Sequence, residues 1–131
     1  MEEKLLDGNF FLFPSCSKRC EVYLTRQNIM YREIVSKPGA KPKPYISILM
    51  ENIIGSRIFE SRIKKDNYCC LSVHILFKNK KGHRERKQVT FCVYHSEDKL
   101  ENMTISETWA RTISWLALDH NISVDELQGE Y

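Results

Sequence analysis

The sequence predicts a mainly β fold of seven antiparallel strands closed by one C-terminal α-helix. Apolar, β-branched and aromatic residues recur in short runs over the first 94 residues, with turn chemistry between them. The clearest of these runs alternate with a period of two. After Tyr94 the pattern changes to helical spacing, uninterrupted by Gly or Pro until Gly129.

The seven runs fall at 9–13, 19–25, 28–34, 45–49, 53–59, 69–77 and 87–94. In the sixth, Cys69, Leu71, Val73, Ile75 and Phe77 share one face, while Ser72 and His74 lie on the other. Val89, Phe91 and Val93 repeat the alternation in the seventh, so these two strands pair as a hairpin through 78–86. Asn79-Lys80-Lys81-Gly82 supplies the residue tolerant of positive φ that such a turn needs. Lys41-Pro42-Lys43-Pro44, with Pro38 and Gly39 just before, is too Pro-rich for a central strand and reads as an exposed loop between strands three and four. Thr104-Ile105-Ser106-Glu107 has capping-box spacing and predicts a helix starting there and ending near Leu118 or Asp119. Ile105, Trp109, Ile113 and Leu116 form its buried stripe, with Ala110 and Ala117 allowing close packing; Trp115 lies off the stripe. The domain proper then covers 9–119, with an N-terminal extension at 1–8 and an acidic tail or linker at 120–131.

A chain of 131 residues, 42% apolar and 28% charged, is the size and composition of one globular domain. Its apolar runs are far short of the roughly 18 residues a membrane-spanning helix needs. The start, Met1-Glu2-Glu3-Lys4, has neither the basic nor the apolar region of a secretory signal, which predicts a cytosolic location. In that setting Asn102-Met103-Thr104 and Asn121-Ile122-Ser123 match the glycosylation pattern by chance. The five cysteines, Cys16, Cys20, Cys69, Cys70 and Cys92, are odd in number and mostly strand-borne, so free thiols are expected. Cys16 and Cys20 lack a second ligand pair nearby, and His74, His83, His95 and His120 are scattered, so no metal site is expected. There is no nucleophile elbow, no His-Glu-x-x-His and no Gly-rich phosphate loop, which argues against catalysis and against a cofactor on this chain.

Charge is segregated. Residues 1–61 carry +2, residues 62–94 carry +7 and residues 95–131 carry −6. The run from Lys78 to Lys87 concentrates Lys78, Lys80, Lys81, Arg84, Arg86 and Lys87 at the predicted hairpin tip. Such a run can simply keep a sheet edge soluble. It can also act as an anion-binding finger, with Arg84 and Arg86 as bidentate forks for phosphate and the lysines as mobile point charges. No aromatic residues are interleaved to stack bases, so nucleic acid ranks last among anionic partners.

Seven strands, a basic loop between the sixth and the seventh, and a C-terminal helix bearing Trp109 resemble a pleckstrin-homology domain. The succession Arg19-Cys20-Glu21-Val22-Tyr23-Leu24, Ile29-Met30-Tyr31-Arg32, Glu51-Asn52-Ile53-Ile54-Gly55, the run 68–77, Gln88-Val89-Thr90-Phe91 and Trp109-Ala110-Arg111-Thr112 is similar to the N-terminal region of ceramide kinases and sphingosine-kinase-like relatives. The resemblance implies a barrel or sandwich of two near-orthogonal sheets, capped by the helix. It also implies phosphoinositide binding at an open end ringed by 14–19, 35–44 and 78–86, with Lys18, Arg19, Arg32, Lys78, Lys80, Lys81, Arg84, Arg86 and Lys87 as headgroup contacts. Glu21 stands where tight binders of the family carry an Arg, which implies a looser electrostatic surface. The kinase's nucleotide loop is absent, so the chain reads as a targeting piece that would be peripheral on anionic membranes, either cut from a protein with a C-terminal lipid kinase domain or standing alone. The alternative from another class is a protein-interaction or self-association module, including a homodimer.

Overall fold

The computed structural model describes residues 3–13, 17–60 and 69–128. Its strands are β1 (Leu6–Leu12), β2 (Arg19–Leu24), β3 (Asn28–Glu33), β4 (Ile46–Leu49), β5 (Ile53–Glu60), β6 (Cys69–Lys78) and β7 (Arg84–Val93), followed by the helix α1 (Lys99–Gln128). A short 3-10 turn, Met50–Asn52, joins β4 to β5. The strands are antiparallel and form one hydrogen-bonded sheet in the order β4-β3-β2-β1-β7-β6-β5. The middle is its narrowest seam, because β1 meets β7 only through Phe11 opposite Cys92 and Leu12 opposite Phe91. Among the described residues no pairing joins β4 to β5, so the sheet is not closed.

Alternation places the core. Cys20, Val22 and Leu24 of β2, Leu71, Val73 and Ile75 of β6, and Phe91 and Val93 of β7 point inward and are buried. α1 lays Trp109, Ala110, Ile113 and Ala117 against them, with Ile105 and Leu116 half-buried beside this stripe, as the helical spacing predicts. Trp109 meets Phe10 edge-on with ring centroids 5.0 Å apart, while Phe91 contacts the rings of Phe10 and Tyr31. Ser56 of β5 pins the helix by donating its hydroxyl to the Ala110 carbonyl at 2.6 Å and pairing with the Ser114 hydroxyl at 2.7 Å. Trp115 is 76% exposed.

Several boundaries differ from the sequence pattern. β1 begins at Leu6 rather than Asn9, because Leu24, Tyr23 and Val22 of β2 already pair with Leu6, Asp7 and Gly8. A Cβ at Gly8 would stand 3.2 Å from the Phe10 ring and 3.6 Å from Trp109. The helix begins at Lys99, not Thr104, because Asp98 is its cap: the Asp98 carboxylate accepts from the backbone N–H groups of Leu100 and Glu101. Thr104 instead donates its hydroxyl back to the Leu100 carbonyl at 2.8 Å, a bond made inside a helix. The helical backbone also continues past Asp119 to Gln128, since no Gly or Pro stops it before Gly129. The elements therefore run past both limits expected for the domain, into 1–8 and into 120–131.

The outer face of β6 is less polar in surroundings than alternation suggests. Cys70, Ser72 and Cys92 are fully buried there, with Phe11 and Phe59 packed over the two cysteines, whose Sγ atoms lie 3.7 Å apart. On the inner side Cys20 is a free thiol, and burial pushes it up to about 12. Cys16 lies outside the described residues.

Candidate functional site

β6 and β7 form the longest hairpin, paired from Cys69 opposite Val93 out to Lys78 opposite Arg84. β5 accompanies β6 only as far as Ile75, and β1 leaves β7 at Phe91, apart from one bond from the Phe13 N–H to the Thr90 carbonyl at 3.2 Å. The segment from Leu76 to Arg86 therefore stands beyond its neighbours as a two-stranded finger. At about 3.3 Å per residue, its tip lies roughly 20 Å past the end of β1.

Asn79 organises the turn. Its side-chain oxygen accepts from the N–H groups of Lys81 and His83 at 2.9 and 3.0 Å, and its carbonyl accepts from Gly82 at 2.9 Å. Gly82 takes the left-handed conformation at φ 80°, as the sequence predicts. The Asn79 amide also donates to Glu85 at 2.8 Å. The turn proper is shorter than 78–86. Lys78, Arg84, Arg86 and Lys87 belong to the strands, where the exposed ladder satisfies the backbone and lets charged side chains reach solvent.

This placement sorts the cations. Lys78, Arg84 and Arg86 share the outer face, Lys87 lies on the inner face opposite Ile75, and Lys80 and Lys81 cap the tip. All six are exposed. Among the described residues the ion pairs are Arg32 with Glu21 and Lys43 with Glu33, and His95 lies 3.4 Å from the Glu101 carboxylate, so none engages the finger. The finger thus concentrates positive charge, its cations outnumbering the single carboxylate of Glu85.

The other expected contacts do not all join it. By register, Phe13, Lys18 and the connections 34–45 and 79–83 lie toward the same end of the sheet. Lys18 and Arg19 are exposed there, with the Arg19 guanidinium 5.9 Å from the Phe11 ring centroid. Residues 14–16 lie outside the described residues. Arg32 is turned to the outer face of β3, where it binds Glu21 and stacks on Tyr45 at 4.2 Å. The hydrogen bond from Arg32 holds the Glu21 carboxyl below the usual glutamate range, helped by the hydroxyl of Tyr45 at 3.1 Å. Glu21 therefore answers the charge of Arg32 and withdraws it from the cationic end.

Sequence reasoning missed an apolar groove beside the finger, lined by Ile46, Leu49 and Ile54. The signal was present: β4 reads Ile46-Ser47-Ile48-Leu49, with three apolar residues in four, more than one buried face requires.

No family model matches the chain, and comparison with curated proteins finds no match. Among the described residues no group of three or more His, Cys, Asp or Glu could hold a metal ion. No helix among them is long and apolar enough to cross a membrane.

Proposed function

We propose that this chain is a non-catalytic, pleckstrin-homology-like module that binds phosphoinositide headgroups and carries a ceramide- or sphingosine-type lipid kinase to anionic membranes. The observation that carries the reading is the finger: six exposed Lys/Arg between Lys78 and Lys87, none in an ion pair with a described residue. The narrow β1–β7 seam is where a sheet of this order would bend into the two near-orthogonal layers of that fold, with α1 over one end. Each cation near an anionic leaflet contributes about 1 kcal/mol, so six give at most about 6 kcal/mol. Two faces and a tip cannot all touch one plane at once, which lowers the total into the range of reversible peripheral binding.

The test is co-sedimentation with liposomes containing or lacking phosphatidylinositol phosphates over a salt series, beside the variant K80A/K81A/R84A/R86A. Binding should need the phosphoinositide, weaken with salt and drop at least about tenfold in the variant. A wild-type chain that ignores every anionic liposome at low salt overturns the reading. A second reading, self-association, is favoured by Trp115 and Leu118, exposed 76% and 57% on α1. Concentration-dependent mass by light scattering, lost in W115A, would support it.

A further inference from the structure

An open groove of about 800 Å³ lies between the β4 edge and the β6–β7 finger. Small-molecule sites commonly occupy about 300–1,000 Å³. Its floor reaches core residues, Ile48 and Ile75 among them. Its lip holds large apolar side chains left in solvent: Ile46 is 53% exposed, Leu49 43% and Ile54 54%. The facing rim is cationic, with Lys87 from the inner face of the finger and Lys78 and Arg84 from its first strand-end pair, and Glu51 is the only acid among the described lining residues.

We propose that this groove binds a single-chain, phosphate-headed lipid as a monomer, its phosphate on Lys78, Arg84 and Lys87 and its hydrocarbon chain along Ile46, Leu49 and Ile54. The two halves of the lining call for the two halves of such a molecule. A sugar phosphate or nucleotide would leave the apolar lip in water, and a neutral apolar ligand would leave the three cations unanswered. An extended acidic peptide adding to the β4 edge would find only four residues to pair with. The inference rests on the phosphoinositide reading for its anionic end only, through those three shared cations. It differs in taking the chain of the lipid onto the protein, where the finger alone would touch a headgroup in a bilayer.

The experiment is titration calorimetry of the full chain with 1-oleoyl lysophosphatidic acid below its critical micelle concentration, with glycerol 3-phosphate as the headgroup alone and a Glu-rich peptide as the competing class. The variant I46T/I54T changes two side chains more than half exposed and keeps β-branching, so folding should be retained, as checked by circular dichroism. K80A/K81A removes tip cations outside the groove lining. The lysolipid should bind at least about tenfold more tightly than glycerol 3-phosphate, and I46T/I54T should weaken it about fivefold or more, against less than about twofold for K80A/K81A. Equal affinity for glycerol 3-phosphate, tighter binding of the peptide, absence of lysolipid binding, or indifference to I46T/I54T overturns the proposal. Liposome sedimentation separates the two readings. Vesicle binding without lysolipid binding removes only the groove, and lysolipid binding without vesicle binding removes only the membrane-targeting role.

Discussion

Replacing Asn102 by Ala should destabilise the fold more than any substitution on the exposed face of α1. The Asn102 side chain is fully buried at the junction of β7 and α1. Its oxygen accepts from the backbone N–H groups of His95 at 2.8 Å and Ser96 at 3.3 Å, and its amide donates to the Ser96 carbonyl at 2.9 Å. Each such bond contributes about 1 kcal/mol net, and a partner left buried and unsatisfied costs about 1–3 kcal/mol. His95 is exposed, so water recovers part of its loss. The expected destabilisation is therefore about 2–3 kcal/mol. Asn102→Asp should be no milder: it keeps the two acceptor contacts but turns a carboxylate oxygen toward the Ser96 carbonyl. Urea unfolding followed by circular dichroism and tryptophan fluorescence gives the value, with a midpoint about 1 M or more lower for a slope of about 1–3 kcal/mol/M. A loss below about 1 kcal/mol at unchanged slope would refute the view that this side chain fixes the helix entry.

Two further outcomes follow from the cap and from the Glu21 pair. Asp98→Ala should cost about 1 kcal/mol, whereas Thr104→Ala should stay within about 0.5 kcal/mol because its exposed hydroxyl bonds only back along the helix; the same urea titration ranks them, and the reverse order would place the helix start at Thr104. Glu21 and Glu33 have carboxyls held below the ordinary value of 4.5, each first through a hydrogen bond, from Arg32 and from Lys43 respectively. A carboxyl depressed in the folded state stabilises it above that ordinary value, and the contribution disappears as pH falls through the lowered one. Stability should thus decline on acidification below about 4.5, and E21Q should flatten part of that slope in urea midpoints measured across pH; an unchanged slope would show that the pair is not populated in solution.

How far the sequence could be read depended on whether a residue's meaning was local. Strands β6 and β7 were legible because Leu71, Val73, Ile75 and Phe91 repeat at a period only a sheet produces, and the helical stripe through Trp109 and Ile113 was legible for the same reason. Thr104 misled because Ser and Thr bond equally well at a cap and inside a helix, and only the chain before Asp98 decides which. The start of β1 before Asn9 was not legible, because the pairing of Leu6, Asp7 and Gly8 with Leu24, Tyr23 and Val22 shows only once β2 is aligned beside it. The finger was visible as charge, but its division into outer face, inner face and tip needed the register of Lys78 against Arg84. The withdrawal of Arg32 by Glu21 is a cross-strand event, invisible until β2 and β3 are aligned. The groove is lined from β4 and the turn after it on one side and from β6 and β7 on the other, stretches that share no sequence neighbourhood.

The finger also has a mechanical meaning. Its strands lie along the line joining the tip to the body of the sheet, so a pull on the tip loads the flanking ladders in shear, with many bonds sharing the force at once. That load is carried unequally. β7 grips β1 through two register pairs, whereas β6 grips β5 along the whole run from Ile53 opposite Ile75 to Glu60 opposite Cys69. β5 is in turn latched to α1 through Ser56, so tension entering at Lys80 and Lys81 would leave through the helix and largely bypass the β1–β4 half. A pull on the finger tip would therefore be felt at α1, along the route of β6, β5 and the Ser56 latch.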